Sequence, residues 1–250
     1  MIPHADYTGR VDILVLQHIA CEPPAVYGDV LVERGHVLHP VEVDEGEPLP
    51  DWRDYGAIVA MGGPMGAYDD DKHPWLVDEK QLIGDAVRAG LPYFGACLGV
   101  QLLAASLGAR VYPGPAPEVG VLDVDRTEDG GSDPVASILP ERFKSLQWHG
   151  DTFDLPEGAV SLFSSPQYPN QGFRWGEVAY GIQFHLEVDE ALADTWSRVP
   201  AYETAAENVL GAGGLERLLD DVRANADRML PHGRTLIDAW LDHVMEHGRV

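Results

Sequence analysis

The stretch Tyr93-Phe94-Gly95-Ala96-Cys97-Leu98-Gly99-Val100-Gln101 places a cysteine between two glycines, after an apolar strand and before a helix. This is the thiol counterpart of the G-x-S-x-G turn that exposes a nucleophile. A side chain at either glycine would collide with a neighbouring strand or helix where the backbone turns sharply. Cys97 then lies at a helix N-terminus, where the dipole and the free N–H groups favour an anion. The N–H of Leu98, directly after the nucleophile, is free to meet a developing oxyanion. A lone cysteine is more often a small buried apolar residue; the flanking glycines reverse those odds. Cys21, ahead of Glu22-Pro23-Pro24, has no such setting and reads as structural.

A thiolate that attacks an amide still needs an acid to protonate the departing amine. Of ten histidines, His185 in Gly181-Ile182-Gln183-Phe184-His185-Leu186-Glu187 is the best placed, at the end of an apolar strand. Residues i and i+2 of an extended chain point to the same side, so Glu187 can reach one imidazole nitrogen and fix its tautomer. His149, in Trp148-His149-Gly150-Asp151, is the competitor at another strand-end turn. No metal is expected at either histidine: neither a helical His-x-x-x-His pair nor C-x-x-C spacing is read. His18 and the other seven histidines receive no role. Asp69-Asp70-Asp71 reads as a solvated turn before a helix, not as a cation site.

The elements that must carry these residues follow from periodicity. Val11 to Gln17, Val37 to Val43, Tyr55 to Met61 and Leu91 to Phe94 read as strands. Helices are predicted over Pro24 to Gly35, Trp75 to Ala89 and Val100 to Leu107, each closing near a glycine. That alternation implies parallel pairing with helices on both faces. Five shorter strands follow: Val119 to Arg126, Ser145 to Trp148, Ala159 to Ser164, Phe173 to Trp175 and Ala179 to Phe184. They favour a mixed sheet with an antiparallel portion. The C-terminal pattern gives helices over Tyr202 to Leu210, Leu215 to Met229 and Thr235 to His247, broken at Gly211 to Gly214 and at Pro231 to Gly233.

Composition narrows the function classes. The 250 residues carry 41 acidic and 17 basic side chains, for a net charge of −24. Such an excess argues against sequence-independent nucleic-acid binding and against an anionic membrane surface. No apolar run reaches the roughly 18 residues of a spanning helix, and no signal peptide is visible at the N-terminus. Two cysteines are too few for a disulfide framework. A cytoplasmic protein is expected.

Gly62-Gly63-Pro64 after a strand, the Gly95-Ala96-Cys97-Leu98-Gly99 elbow and the Gly181-to-Glu187 segment together resemble the three signatures of class I glutamine amidotransferases. The Trp148-His149-Gly150-Asp151 turn is similar to the branch related to the glutaminase domain of GMP synthase. The resemblance spans roughly residues 11 to 188. It departs from the commonest pattern at Leu186, where the family more often has proline, and at Met65-Gly66-Ala67-Tyr68. It implies Cys97 as nucleophile, His185 as general acid/base and Glu187 as its orienter. It implies an oxyanion hole of the Gly63 and Leu98 N–H groups, and a substrate pocket lined by Gln101, Trp148 and His149.

The expected fold is α/β: a flavodoxin-like three-layer domain with a mixed, mostly parallel sheet. Residues 1–192 would form the amidotransferase-like domain, and residues 193–250 a helical extension packed on it. The implied reaction is hydrolysis of the glutamine side-chain amide through a cysteine thioester, with no cofactor; a G-x-x-x-x-G-K-[ST] loop is absent. The roughly 60 residues after Glu187 are too few for a second catalytic domain, so the ammonia would go to a separate synthetase. The same triad could serve a γ-glutamyl hydrolase acting on γ-glutamyl amines or peptides. A regulator that has lost the chemistry is disfavoured by the intact Cys97, His185 and Glu187.

Overall fold

Apolar residues in unbroken runs build the centre of the sheet. In β1 (Asp12–Gln17), Ile13 and Val15 face one layer of helices while Leu14 and Leu16 face the other, as expected for a strand covered on both sides. The structure, a computed structural model, describes residues 9–247. The N-terminal stretch searched for a signal peptide, His4, and the outer ends of the two predicted segments lie outside the described residues.

The other parallel strands are β2 (Val37–Glu42), β3 (Ala57–Ala60), β4 (Tyr93–Ala96) and β9 (Ala179–Ile182). Four antiparallel strands complete one sheet: β5 (Val111–Arg126), β6 (Arg142–Phe153), β7 (Ala159–Ser164) and β8 (Gly172–Trp175). The order is β2-β1-β3-β4-β9-β8-β7-β5-β6. The parallel portion is the larger group and has the doubly wound, flavodoxin-like succession. β5 and β6 run well beyond the short strands expected there. They pair from Val111–Phe153 to Asp125–Arg142, with a register shift between Pro113 and Glu118 that the proline-rich sequence disguises.

Helices α2 (Trp75–Arg88) and α3 (Leu98–Ser106) cover one face. The opposite face is covered by α1 (Ala25–Glu33) and α7 (Gly214–His247). A short helix, α4 (Glu128–Ser132), lies beside β7. Between β9 and α7 come α5 (Glu190–Trp196) and α6 (Pro200–Leu210).

The predicted break at Pro231 to Gly233 is wrong: α7 passes through it without interruption. A proline inside a helix costs about 3 kcal/mol. The stripe Leu218, Val222, Met229, Leu236, Ile237, Trp240 and Val244 is buried along the whole helix, and each such side chain contributes about 1.5–3 kcal/mol. Gly233 is needed for close approach, because a Cβ there would stand 2.5 Å from the Leu186 carbonyl oxygen. The helix is tied to α1 by Arg34 with Asp238 and Asp242, and by Arg234 with Glu33.

Candidate active site

The C-terminal ends of four parallel strands meet at one place. β4 ends at Ala96, and Cys97 follows with φ 53° and ψ −107° before α3 begins at Leu98. A non-glycine residue in that region is strained by about 1–3 kcal/mol. The flanking glycines allow it by contact: a Cβ on Gly95 would lie 2.6 Å from the Gly99 carbonyl carbon, and one on Gly99 2.2 Å from the Ala60 oxygen. The Cys97 N–H donates to Ile182 O at 2.9 Å, locking the elbow to β9.

His185 follows β9. Its N–H donates to Leu146 O at 2.9 Å and its carbonyl accepts from Leu146 N–H at 3.1 Å, so β6 pins the residue in place. Nδ1 lies 2.6 Å from Glu187 Oε1, with both side chains buried. Glu187 Oε2 accepts the Leu186 N–H at 3.0 Å. Burial works against a charged His185, but Glu187 and then Cys97 outweigh it, and the pKa is raised well above the ordinary 6.5. Cys97 stands close enough to the imidazole to favour its charged form. The structure thus gathers Cys97, His185 and Glu187 at one place, with Glu187 paired to His185.

Gly63, Leu98, Gln101, Trp148 and His149 line one cavity of about 270 Å³ with Cys97. Neither the Gly63 nor the Leu98 N–H has a hydrogen-bond partner among the described residues. Gln101 Nε2 donates to Gln183 Oε1 at 3.0 Å, and Gln183 Nε2 lies 3.7 Å from Cys97 Sγ. His149, the rival base, is engaged elsewhere: Nε2 with Glu118 at 3.2 Å and Nδ1 with Asp151 O at 2.9 Å.

Several residues at this centre carry no local motif. His18, left without a role by sequence reasoning, immediately follows β1 and is fully buried. Its Nδ1 lies 3.2 Å from Gly62 O and its Nε2 2.8 Å from Glu79 Oε1. Burial opposes its charge, yet Glu79, Gly62 and Glu22 together raise its pKa. The signal that could have found it is position, since it stands at a parallel strand's C-terminal end like the other site residues.

Glu22 is buried with its carboxylate against Gly62, where a Cβ would meet Oε2 at 1.9 Å. Tyr202 of α6 donates to Glu22 Oε1. Burial raises the Glu22 pKa, while His185 and Tyr202 pull it down. Trp196 of α5 sets its ring edgewise to His185, with centroids 4.8 Å apart, and Ala201, Tyr202 and Ala205 of α6 wall the cavity.

Asp69 and Asp70 are held by Lys72 and Lys80. Cys21 is half-buried, and burial together with Glu22 pushes its thiol up to about 11. One helical His-x-x-x-His pair does exist, contrary to the sequence reading: His243 and His247 on α7, with stacked rings 4.3 Å apart. Both make backbone hydrogen bonds, to Glu177 O and His243 O respectively. No cluster of three or more His, Cys, Asp or Glu suited to a metal ion occurs among the described residues.

The family model for glutamine amidotransferase class I matches residues 29–195. The glutamine amidotransferase-like protein YfeJ of Salmonella typhimurium is 31% identical over 182 residues, covering 71% of this chain and 75% of its own. A GMP synthase [glutamine-hydrolyzing] of Thermomicrobium roseum is 32% identical over 179 residues, which are 65% of this chain but 32% of that enzyme. The chain therefore spans about a third of that GMP synthase. Among solved structures, a glutamine amidotransferase from Thermotoga maritima superposes with a TM-score of 0.82 at 33% identity, covering 93% of this chain and 98% of the other. The glutamine amido transferase from Methylobacillus flagellatus gives 0.82 at 27% identity, over 93% and 94%.

Proposed function

Given that the chain belongs to the class I glutamine amidotransferase family, we propose that it hydrolyses the side-chain amide of glutamine through a Cys97 thioester. The observation that carries this is Cys97 placed beside a His185 that is paired with Glu187, on a cavity also lined by Gly63 and Leu98, whose N–H groups have no partner among the described residues. Cys97 sulfur adds to the amide carbon, and the carbonyl oxygen becomes an oxyanion facing the two N–H groups. Imidazolium His185 gives its proton to the amide nitrogen, the C–N bond breaks, and ammonia leaves. A γ-glutamyl thioester remains. Neutral His185 then takes a proton from water as it attacks the thioester. The second oxyanion collapses, sulfur departs to take the proton back from His185, and glutamate is released. Glu187 holds the tautomer with Nδ1 protonated and leaves Nε2 for this exchange.

Gln101, Trp148 and His149 are assigned to the amino-acid end of the substrate, from their place on the cavity wall. The ammonia is assigned to a separate synthetase, a reading supported by the similarity to one portion of glutamine-hydrolysing GMP synthases. Residues 1–192 are read as the amidotransferase-like unit and 193–250 as a helical extension on it, in keeping with the α1–α7 ion pairs. A cytoplasmic location fits the two unpaired cysteines. No helix among the described residues is long and apolar enough to cross a membrane.

The test is glutamate release by the purified chain from glutamine and from a panel of γ-glutamyl amines and peptides, beside a Cys97→Ala control. Turnover of glutamine that vanishes in the control is the expected result. Cleavage of the larger amides with little glutamine turnover would replace this reading by the γ-glutamyl hydrolase.

A further inference from the structure

The peptide between Gly62 and Gly63 has to present one of the two oxyanion donors, yet its own backbone does not hold it. Both positions require glycine for contact reasons: a Cβ at 62 would strike Glu22, and one at 63 would stand 2.8 Å from His18 Cβ. Two adjacent glycines leave a peptide unit that rotates at little conformational cost. Something outside the dihedral preferences must choose which way it faces.

We propose that His18, clamped by Glu79, is the positioning residue that fixes this peptide with the Gly63 N–H turned towards Cys97, so that the oxyanion site is preformed in the chain alone. The inference rests on the hydrolase reading above and deepens it. A carbonyl oxygen can only accept, so the contact between His18 Nδ1 and Gly62 O at 3.2 Å puts the proton on Nδ1. Nε2 faces the Glu79 carboxylate at 2.8 Å, and Trp75 stacks on the ring with centroids 5.9 Å apart. The imidazole is therefore held on both edges and one face, with no exposure to solvent. No cis peptide occurs among the described residues, and in a trans peptide C=O and the next N–H point in opposite directions. Tying the Gly62 oxygen to His18 turns the Gly63 N–H away from it. On that other side Gly63 shares the cavity wall with Cys97 and Leu98, and its N–H has no partner among the described residues.

The two ring nitrogens can be tested apart, because an Asn amide nitrogen stands near the place of Nδ1 and a Gln amide nitrogen near that of Nε2. Crystal structures of the full chain and of His18→Asn and His18→Gln read the peptide directly. The expected result is a Gly62 carbonyl kept in place by H18N and released in H18Q, where the amide reaches Glu79 only. Glutamate release then falls roughly 100-fold in H18Q, the worth of one oxyanion donor, and H18N recovers the larger part. Alkylation of Cys97 by iodoacetamide displaces iodide without forming an oxyanion and stays at the wild-type rate in both. An unmoved Gly62 carbonyl in H18Q, or equal losses in the two variants, overturns the proposal.

If the variants do not fold, the 15N spectrum of His18 in the wild-type chain decides: a protonated Nδ1 supports the clamp and a bare one refutes it. A wild-type chain that releases no glutamate from any γ-glutamyl compound, while its peptide still turns with residue 18, removes the hydrolase reading and leaves the clamp standing.

Discussion

Replacing Glu187 by Gln changes few atoms and tests how His185 is held. In the native site Oε1 accepts His185 Nδ1–H at 2.6 Å and Oε2 accepts Leu186 N–H at 3.0 Å. Glutamine has one oxygen and one NH2 for these two donors. With the oxygen on Leu186, the NH2 faces Nδ1 and drives the imidazole proton to Nε2, the side left for Cys97. With the amide turned over, the Leu186 N–H keeps only Tyr27 Oη at 3.3 Å. Loss of a hydrogen bond to a charged group costs about 1.5–3 kcal/mol, or about 10- to 100-fold in rate at 1.4 kcal/mol per tenfold. The wrong tautomer carries the loss towards the full worth of general acid/base catalysis, about 100- to 10,000-fold. The kcat for glutamate release should therefore drop at least about 10-fold, and about 100-fold or more where the wrong tautomer prevails.

Stability should respond to pH with a definite sign. His185 has its pKa raised in the folded chain. The stability from its protonation is fully present below the ordinary 6.5 and is lost as pH rises through the folded value. Urea unfolding near pH 6 should show E187Q weaker than wild type by about 1.5–3 kcal/mol, a gap that narrows in alkaline buffer. An unchanged kcat, or a gap of the same size at both ends of the pH range, refutes this account of the pair.

Further tests address the elements around the site. Cys97→Gly should unfold at higher urea than Cys97→Ala, by about 1 kcal/mol, since only glycine relieves φ 53°; both should release no glutamate. Gly99→Ala should weaken the fold by about 1–3 kcal/mol by forcing α3 off Ala60, read in urea. Tyr202→Phe strips the buried Glu22 of its donor and should cost about 1–3 kcal/mol in the same measurement. Pro231→Ala, at an exposed position inside α7, should raise the melting temperature by restoring a helical N–H, worth at most about 3 kcal/mol.

The Gly95–Gly99 elbow was legible because its sterics are concentrated in one short stretch: Gly95 and Gly99 are glycines for reasons of contact, and a motif records contact. The His185–Glu187 pair was legible because the period of a strand puts i and i+2 together. His18, Glu22, Trp196 and Tyr202 were not, since they reach the centre from β1, a loop, α5 and α6, and only the three-dimensional path brings them there. Pro231 misled for the complementary reason. Local preference argued for a break, and a buried stripe running from Leu218 to Val244 overruled it. The extended β5–β6 ladder escaped notice because Pro113, Pro115 and Pro117 mask strand periodicity while the chain shifts register.

The pair α5–α6 gives selectivity an address separate from chemistry. The groups that would make and break bonds stand on strand ends buried in the sheet, whereas the wall formed by Ala201, Tyr202 and Ala205 belongs to a segment between Asp189 and Gly213. Such a segment can be exchanged between relatives as a cassette, altering what the cavity admits while Cys97, His185 and Glu187 stay where the sheet puts them. Trp196, like Tyr202 with its bond to Glu22, limits that independence. Its ring rests on His185, so a graft that alters it would change the base along with the door.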